Sequence, residues 1–172
     1  MAQNVEIKAR SMDFVGQSLI AASLSEGEPQ MIHQEDIFFN VPTDRLKLRV
    51  FSPDSAELIF YHRSNQRGPK ISQYEISQTQ DPEGLKSILE KAYGIRSTVV
   101  KMRHLYVCGR TRIHLDQVES LGDFIELEVV LSDSEALVDG EKESHGLMVQ
   151  LGIKPDHLIE RAYVDLLDSK MA

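Results

Sequence analysis

At 172 residues, with 41% hydrophobic and 27% charged residues, the chain reads as a single domain, 1–172, large enough to bury a substantial core. Its net charge of −8 argues against a general nucleic-acid binder, and no apolar run approaches the ~20 residues of a membrane span. One cysteine, Cys108, can form neither an intrachain disulfide nor a Cys/His zinc site, and the start Met-Ala-Gln-Asn-Val-Glu lacks the basic and apolar regions of a signal peptide, so the cytosol is the expected compartment.

In chain order, residues 4–10 read as a strand and 12–24 as a helix, with Met12, Val15, Leu19, Ile20 and Leu24 near helical spacing. Glu26-Gly27-Glu28-Pro29 breaks that helix. Strands follow at 31–39, 45–51, 57–63 and 70–77, separated by turn sequences such as Asn65-Gln66-Arg67-Gly68-Pro69, the pattern of sequential antiparallel hairpins. Asp81-Pro82-Glu83 opens a helix that runs to about Tyr93 and ends at Gly94. Strands at 97–107, 110–117 and 124–131 come next, then helices at 133–151, with Gly140 a possible break, and 155–168. About eight strands with three or four helices make an α+β fold.

Successive side chains of a strand point to opposite faces. Asn4–Arg10, Arg45–Val50, Lys101–Arg103, Arg110–Asp116 and Ile125–Val129 all alternate charged with apolar residues. With Arg63 and Lys70 included, these faces hold 11 of the 19 Lys and Arg but only 4 of the 27 Asp and Glu, an excess of +7, which leaves −15 on the rest of the chain. On one strand such alternation describes a solvated face. On five strands it describes a basic surface that a small polyanion would select. An open sheet would leave that face in solvent; a closed barrel covered by helices turns it into a polar tunnel.

Glu126 and Glu128 lie two apart on one strand, about 6.6–6.8 Å along the chain, with Asp116 on a neighbouring strand and Glu6 a further candidate. Oxygen ligands suit Mg²⁺ or Mn²⁺, which bind through one or two carboxylates together with substrate phosphates. Arg grips phosphate oxygens bidentately and Lys acts as a point charge. His114 shares the register of Arg112 and Asp116, and a structural role for it outweighs catalysis. Walker and dinucleotide glycine motifs are absent, so side chains would bind any phosphate.

Val5-Glu6-Ile7-Lys8 resembles the N-terminal ExExK signature of the CYTH domain, or triphosphate tunnel metalloenzyme, family. The resemblance continues in order through Gln34–Phe39, Arg45–Arg49, Tyr61-His62-Arg63, Lys101-Met102-Arg103, His114-Leu115-Asp116 and Glu126-Leu127-Glu128. It is nearest to the class IV adenylate cyclase branch in length and in the Gln-x-Asp-x-Phe-Phe and Leu-Asp-x-Val stretches. The resemblance implies a closed eight-stranded antiparallel β-barrel, a triphosphate tunnel, with helices outside. It implies Mg²⁺ or Mn²⁺ held by Glu6, Asp116, Glu126 and Glu128. It implies triphosphate held by Lys8, Lys47, Arg49, Arg63, Lys70, Lys101 and Arg103, with Arg45 and Arg112 as additional tunnel residues. Lys8, Arg63, Lys101 and Arg103 are the catalytic candidates. The implied partners are ATP, thiamine triphosphate or tripolyphosphate, and related cyclases are often dimers. Three activities fit: cyclisation of ATP, hydrolysis of a small triphosphate, or non-catalytic binding of nucleotide or polyphosphate. Asn4 departs from the signature, standing where its first Glu belongs, with a neutral carbonyl oxygen in place of a carboxylate.

Overall fold

The alternation carries through eight antiparallel strands in the computed structural model, which describes residues 2–171. They are β1 (Ala2–Arg10), β2 (Gln30–Phe39), β3 (Arg45–Ser52), β4 (Ser55–Arg63), β5 (Lys70–Thr79), β6 (Ile95–Cys108), β7 (Thr111–Val118) and β8 (Gly122–Leu131). Each strand pairs with two neighbours in the order β1-β5-β4-β3-β2-β6-β7-β8, and β8 returns to β1 to close a barrel. Closure removes the free sheet edges that an open sheet would present. It also resolves the choice between solvated face and tunnel in favour of the tunnel.

The outer barrel face is apolar and helices cover it. Ile7, Ala9, Ile113, Leu115, Ile125 and Leu127, all fully buried, pack with Ala21 of α1 (Phe14–Leu24) and Leu147 and Met148 of α3 (Leu137–Gln150). A fully buried aliphatic side chain of this kind contributes about 1.5–3 kcal/mol. On the opposite side Ile37, Phe39, Leu48 and Ala56 pack on Leu89 of α2 (Pro82–Tyr93). Asp13 and Asp81 cap α1 and α2 by accepting from the N–H groups of Gly16 and Gly84. Gly94, at a φ of 80°, ends α2 and donates its N–H to Glu90 O at 2.8 Å, as its sequence position predicts.

Three expectations are corrected. The apolar residues of the predicted 12–24 helix do not all face inward: Met12, which precedes α1, and Val15 and Leu19 within it are 66%, 69% and 69% exposed, while Gln17 and Ala21 are buried. Gln17 can be buried because its amide donates to Leu151 O at 3.1 Å and accepts from Ser11 Oγ at 2.7 Å. Gly140 does not break α3. It brings the helix onto β1 and β8, where a Cβ would lie 2.8 Å from Val5 Cγ2 and 3.0 Å from Leu131 Cδ2. The last predicted helix, 155–168, is instead a 3₁₀ turn (Pro155–His157), an extended stretch, and α4 (Tyr163–Met171). The extended stretch forms because β1 outruns β5: pairing stops at Glu6↔Lys70 and leaves the end of β1 free on that edge. Leu158 bridges to Ala9, and Ile159 N–H donates to Lys8 O at 2.9 Å.

Candidate active site

The inward residues of all eight strands line one cavity of about 300 Å³, at the small end for ligand sites. Lys8, Lys47, Arg49, Arg63, Lys101, Arg103 and Arg112 face it as bases, against the acids Glu6, Asp36, Glu57, Glu126 and Glu128. The wall is therefore positive by two charges, less than the strand faces alone suggest.

Strand register sets the charge pairs. Lys8 lies opposite Glu126, Arg112 opposite Glu128, Arg103 opposite Asp116 and Arg49 opposite Asp36, and each of these four pairs is an ion pair. Directly opposed side chains of one sheet face are close enough to interact. Arg103 reaches Asp116 with Nε at 2.8 Å and Nη2 at 2.7 Å; Arg49 reaches Asp36 with Nε and Nη2 both at 2.7 Å. Asp36 also takes Lys47 at 3.3 Å and Lys101 at 3.6 Å.

Enclosure shifts the ionisation of this set. Burial, and then the charge of Arg49, bring the Lys47 ammonium down to about 8 despite Asp36. Burial and Arg103 hold Lys101 well below the ordinary lysine range, and burial lowers Lys8. Burial raises the carboxyl of Glu6, and Glu126 and Glu128 raise it further, against the pull of Arg63. Burial opposes ionisation of Asp36, but the surrounding Arg49, Lys47 and Lys101 override it and hold its carboxyl well below the usual range. The bases thus crowd one another, which a bound anion would relieve.

Most predicted site residues meet in this cavity, but three do not line it. Asp116 is fully buried, its oxygens taken by Arg103 and by the hydroxyl of Tyr163 at 2.9 Å. Arg45, at the start of β3, pairs with Asp165 of α4 at 2.7 Å. Lys70 is sequestered by main-chain carbonyls, donating to Gln66 O at 2.9 Å and Glu160 O at 3.0 Å. Several lining residues escaped the site prediction, among them Asp36, Glu57 and Tyr163. Asp36 was legible, since it alternates with Gln34 and Phe38 on β2; Tyr163 was not, since it enters from a helix outside the strand pattern.

Among the described residues no group of three or more His, Cys, Asp or Glu side chains is arranged to hold a metal ion. The donor chemistry nevertheless fits a hard divalent cation. Glu6 and Glu128 are cross-strand partners, Glu126 is two residues away on β8, and the buried Oδ1 of Asn4 beside them has no hydrogen-bond partner. Each carboxylate is held by a base instead: Glu6 by Arg63 at 3.1 Å, Glu126 by Lys8 at 3.3 Å and Glu128 by Arg112 at 3.1 Å. His114 sits between the last two, 3.8 Å from Glu126 and 3.7 Å from Glu128, too far to bond either.

The tunnel ends differ. At one end Ala162, Tyr163 and Val164 of the tail pack against Phe38, Tyr61, Val99, Val118 and Phe124. At the other, Ile32, Phe51, Ile76 and Leu105 line the mouth, with Ile76 48% exposed.

A model of the CYTH domain matches residues 2–163. Adenylate cyclase CyaB of Aeromonas hydrophila is 24% identical over 180 residues, covering 97% of this chain and 90% of that protein. Among solved structures, the PH1012 protein from Pyrococcus horikoshii OT3 superposes with a TM-score of 0.84 at 23% identity, over 95% of this chain and 98% of that one. HpAC1 from Hippeastrum, provisionally an adenylyl cyclase and described with a dominant triphosphatase activity, superposes with a TM-score of 0.68 at 14% identity, over 99% of this chain and 96% of that one. The eight-stranded tunnel and a match across nearly its whole length agree: this chain belongs to the CYTH domain family.

Proposed function

We propose that the protein is a divalent-metal-dependent enzyme that takes a triphosphate into its tunnel and converts ATP to cyclic AMP and pyrophosphate. One observation carries the triphosphate reading: buried cationic donors converge in the tunnel, and among them Nη2 of Arg63 has no hydrogen-bond acceptor, while its Nε lies 3.1 Å from Glu6 Oε2. Buried donors in a native fold are almost always bonded, so this convergence points to an anion. Lys8, Lys47, Arg49, Arg63, Lys101 and Arg103 are the groups proposed to bind its phosphate oxygens. Mg²⁺ or Mn²⁺ would be held by Glu6, Glu126 and Glu128 with the Asn4 carbonyl, and supplies charge neutralisation on the phosphates when bound.

The apolar mouth formed by Ile32, Phe51, Ile76 and Leu105 favours a triphosphate carrying an organic group. In cyclisation the O3′–Pα bond forms as the Pα–O bond to the β-phosphate breaks. Pyrophosphate leaves with the bonding electrons, and the 3′-hydroxyl proton goes to solvent. The bases lower the barrier by holding the chain of phosphates in line and neutralising its charge. Similarity to a cyclase over nearly the whole chain supports this reading. Hydrolysis of the terminal phosphate is the second reading, supported by the fold shared with HpAC1.

³¹P NMR of the products from ATP, thiamine triphosphate and tripolyphosphate, with Mg²⁺ or Mn²⁺, decides between them. Cyclic AMP and pyrophosphate are expected from ATP; orthophosphate alone moves the assignment to triphosphatase, and no turnover of any of the three overturns an enzymatic role. Glu126→Gln keeps shape but removes a charge, and turnover is expected to fall at least ~10-fold.

A further inference from the structure

The C-terminal tail places an aromatic side chain among the tunnel bases. Tyr163, the first residue of α4, has its ring centroid 3.9 Å from Lys8 Nζ and 5.0 Å from Lys101 Nζ. Both amines lie within the range at which a cation is drawn to an aromatic face. The Tyr163 hydroxyl donates to Asp116 Oδ2 at 2.9 Å, and both Asp116 oxygens hold Arg103. Burial and the carboxylates of Asp116 and Glu126 keep the phenol well above its ordinary pKa, so it stays a donor. Phe124 backs the ring at 4.9 Å between centroids. From outside, Asp165 accepts the Ala162 N–H at 3.2 Å and is itself held by Arg45 and Arg96 at 2.7 and 2.9 Å.

We infer that Tyr163 is a positioning residue: its ring sets the amines of Lys8 and Lys101, and its hydroxyl, through Asp116, sets the guanidinium of Arg103, where the three meet the phosphates. This rests on the triphosphate reading above. An aromatic face suits the task because it orients a cation without neutralising it. A carboxylate partner competes with phosphate for the same N–H groups; a π face leaves those donors free. The tail is then part of the site it closes.

Two variants separate the roles of ring and hydroxyl. Tyr163→Phe keeps the ring and is expected to hold KM within about twofold while kcat falls about 10-fold or more, the scale of one hydrogen bond to a charged group. Tyr163→Leu loses the face as well, and the KM, or the Kd for tripolyphosphate by calorimetry, is expected to rise about 5–30-fold, the scale of two cation–π contacts. Kinetics of Tyr163→Leu indistinguishable from those of the wild type would overturn the role. So would equal losses of affinity in both variants that track a fall in melting temperature, since packing alone does that. The ¹⁵N spectrum of the arginine Nε–H groups needs no substrate: the Arg103 signal is expected to shift in Tyr163→Phe. Failure of the wild type to bind any triphosphate sinks the functional reading, and that signal still decides the inference; an unmoved Arg103 resonance rejects it.

Discussion

The tunnel wall and the tail that closes it solve the same problem, holding charge inside a protein, by different means. On the wall, cross-strand register puts each charge opposite its partner, as with Arg103 and Asp116 or Arg49 and Asp36. The pairing follows from a two-residue period and the closure of the sheet. In the tail, no period operates. Lys70 is held by the carbonyls of Gln66 and Glu160, and Lys8 by the face of Tyr163, all from segments outside the strand pairing. Charges on the wall are matched by charge; at the tail Lys70 is matched by main-chain dipoles, and Lys8, which keeps its Glu126 partner, gains a π face.

Removing one wall partner should break this contrast most strongly. Asp116 is fully buried, and burial alone would raise its carboxyl, but Arg103 overrides that and holds it below the usual range. Asp116→Asn leaves the guanidinium with an uncharged partner and is expected to cost about 3 kcal/mol in urea unfolding, the lower end for a broken buried pair. The sign of the pH dependence follows. A carboxyl with a depressed folded pKa gives stability that is present above its unfolded value near ~3.9 and is lost as pH falls through the folded value. The wild type should therefore lose stability on acidification more steeply than Asp116→Asn; parallel curves would contradict the pairing.

The wall was legible in the sequence and the tail was not, for a physical reason. Alternation survives folding because a strand has only two faces, so the period alone assigns Lys8, Lys47, Arg49, Arg63, Lys101, Arg103, Glu126 and Glu128 to one cavity. Arg45 and Lys70 obey the same alternation yet sit at strand ends, where the period still sets a direction but the tail, not the tunnel, supplies the partner. Asp116 likewise points inward, at a level where Arg103 and Tyr163 fill the space before the cavity is reached. Helical spacing in residues 12–24 predicted a helix but not its buried face, because Gln17 found two polar partners. Tyr163 left no trace, since its role depends on how a helix outside the barrel docks.

The lysines sharpen the comparison at an intermediate scale. Burial and neighbouring bases bring Lys47 to about 8 and lower Lys8 and Lys101. A phosphate anion stabilises the charged amines, so their pKa values must rise on binding and protons must be taken up from solution. At pH 8, titration calorimetry of tripolyphosphate in buffers of different ionisation enthalpy should report uptake of a substantial fraction of a proton, and affinity should weaken as pH rises through about 8. Proton release, or an affinity flat between pH 7 and 9, would mean that the bases stay fully charged without ligand.

The smallest effect is expected where the tail is held only at the surface. Two bases, Arg67 in the loop joining β4 to β5 and Lys70 at the start of β5, fasten Glu160. Arg67 pairs with Glu160 at 3.1 Å, with side chains 65% and 48% exposed. Lys70 is 2% exposed and donates to Gln66 O and Glu160 O. Both contacts join the same two segments, so geometry alone would rank them together. Solvent separates them. An exposed ion pair gains little in high dielectric and loses side-chain entropy, whereas carbonyls stripped of a buried donor keep their full desolvation penalty. Lys70→Met is therefore expected to destabilise by about 1–3 kcal/mol, and Arg67→Ala by less than about 0.5 kcal/mol, in the same urea titration. If Arg67→Ala proved as costly as Lys70→Met, the tail would be held by surface charge, and the contrast between wall and tail would lose its physical basis.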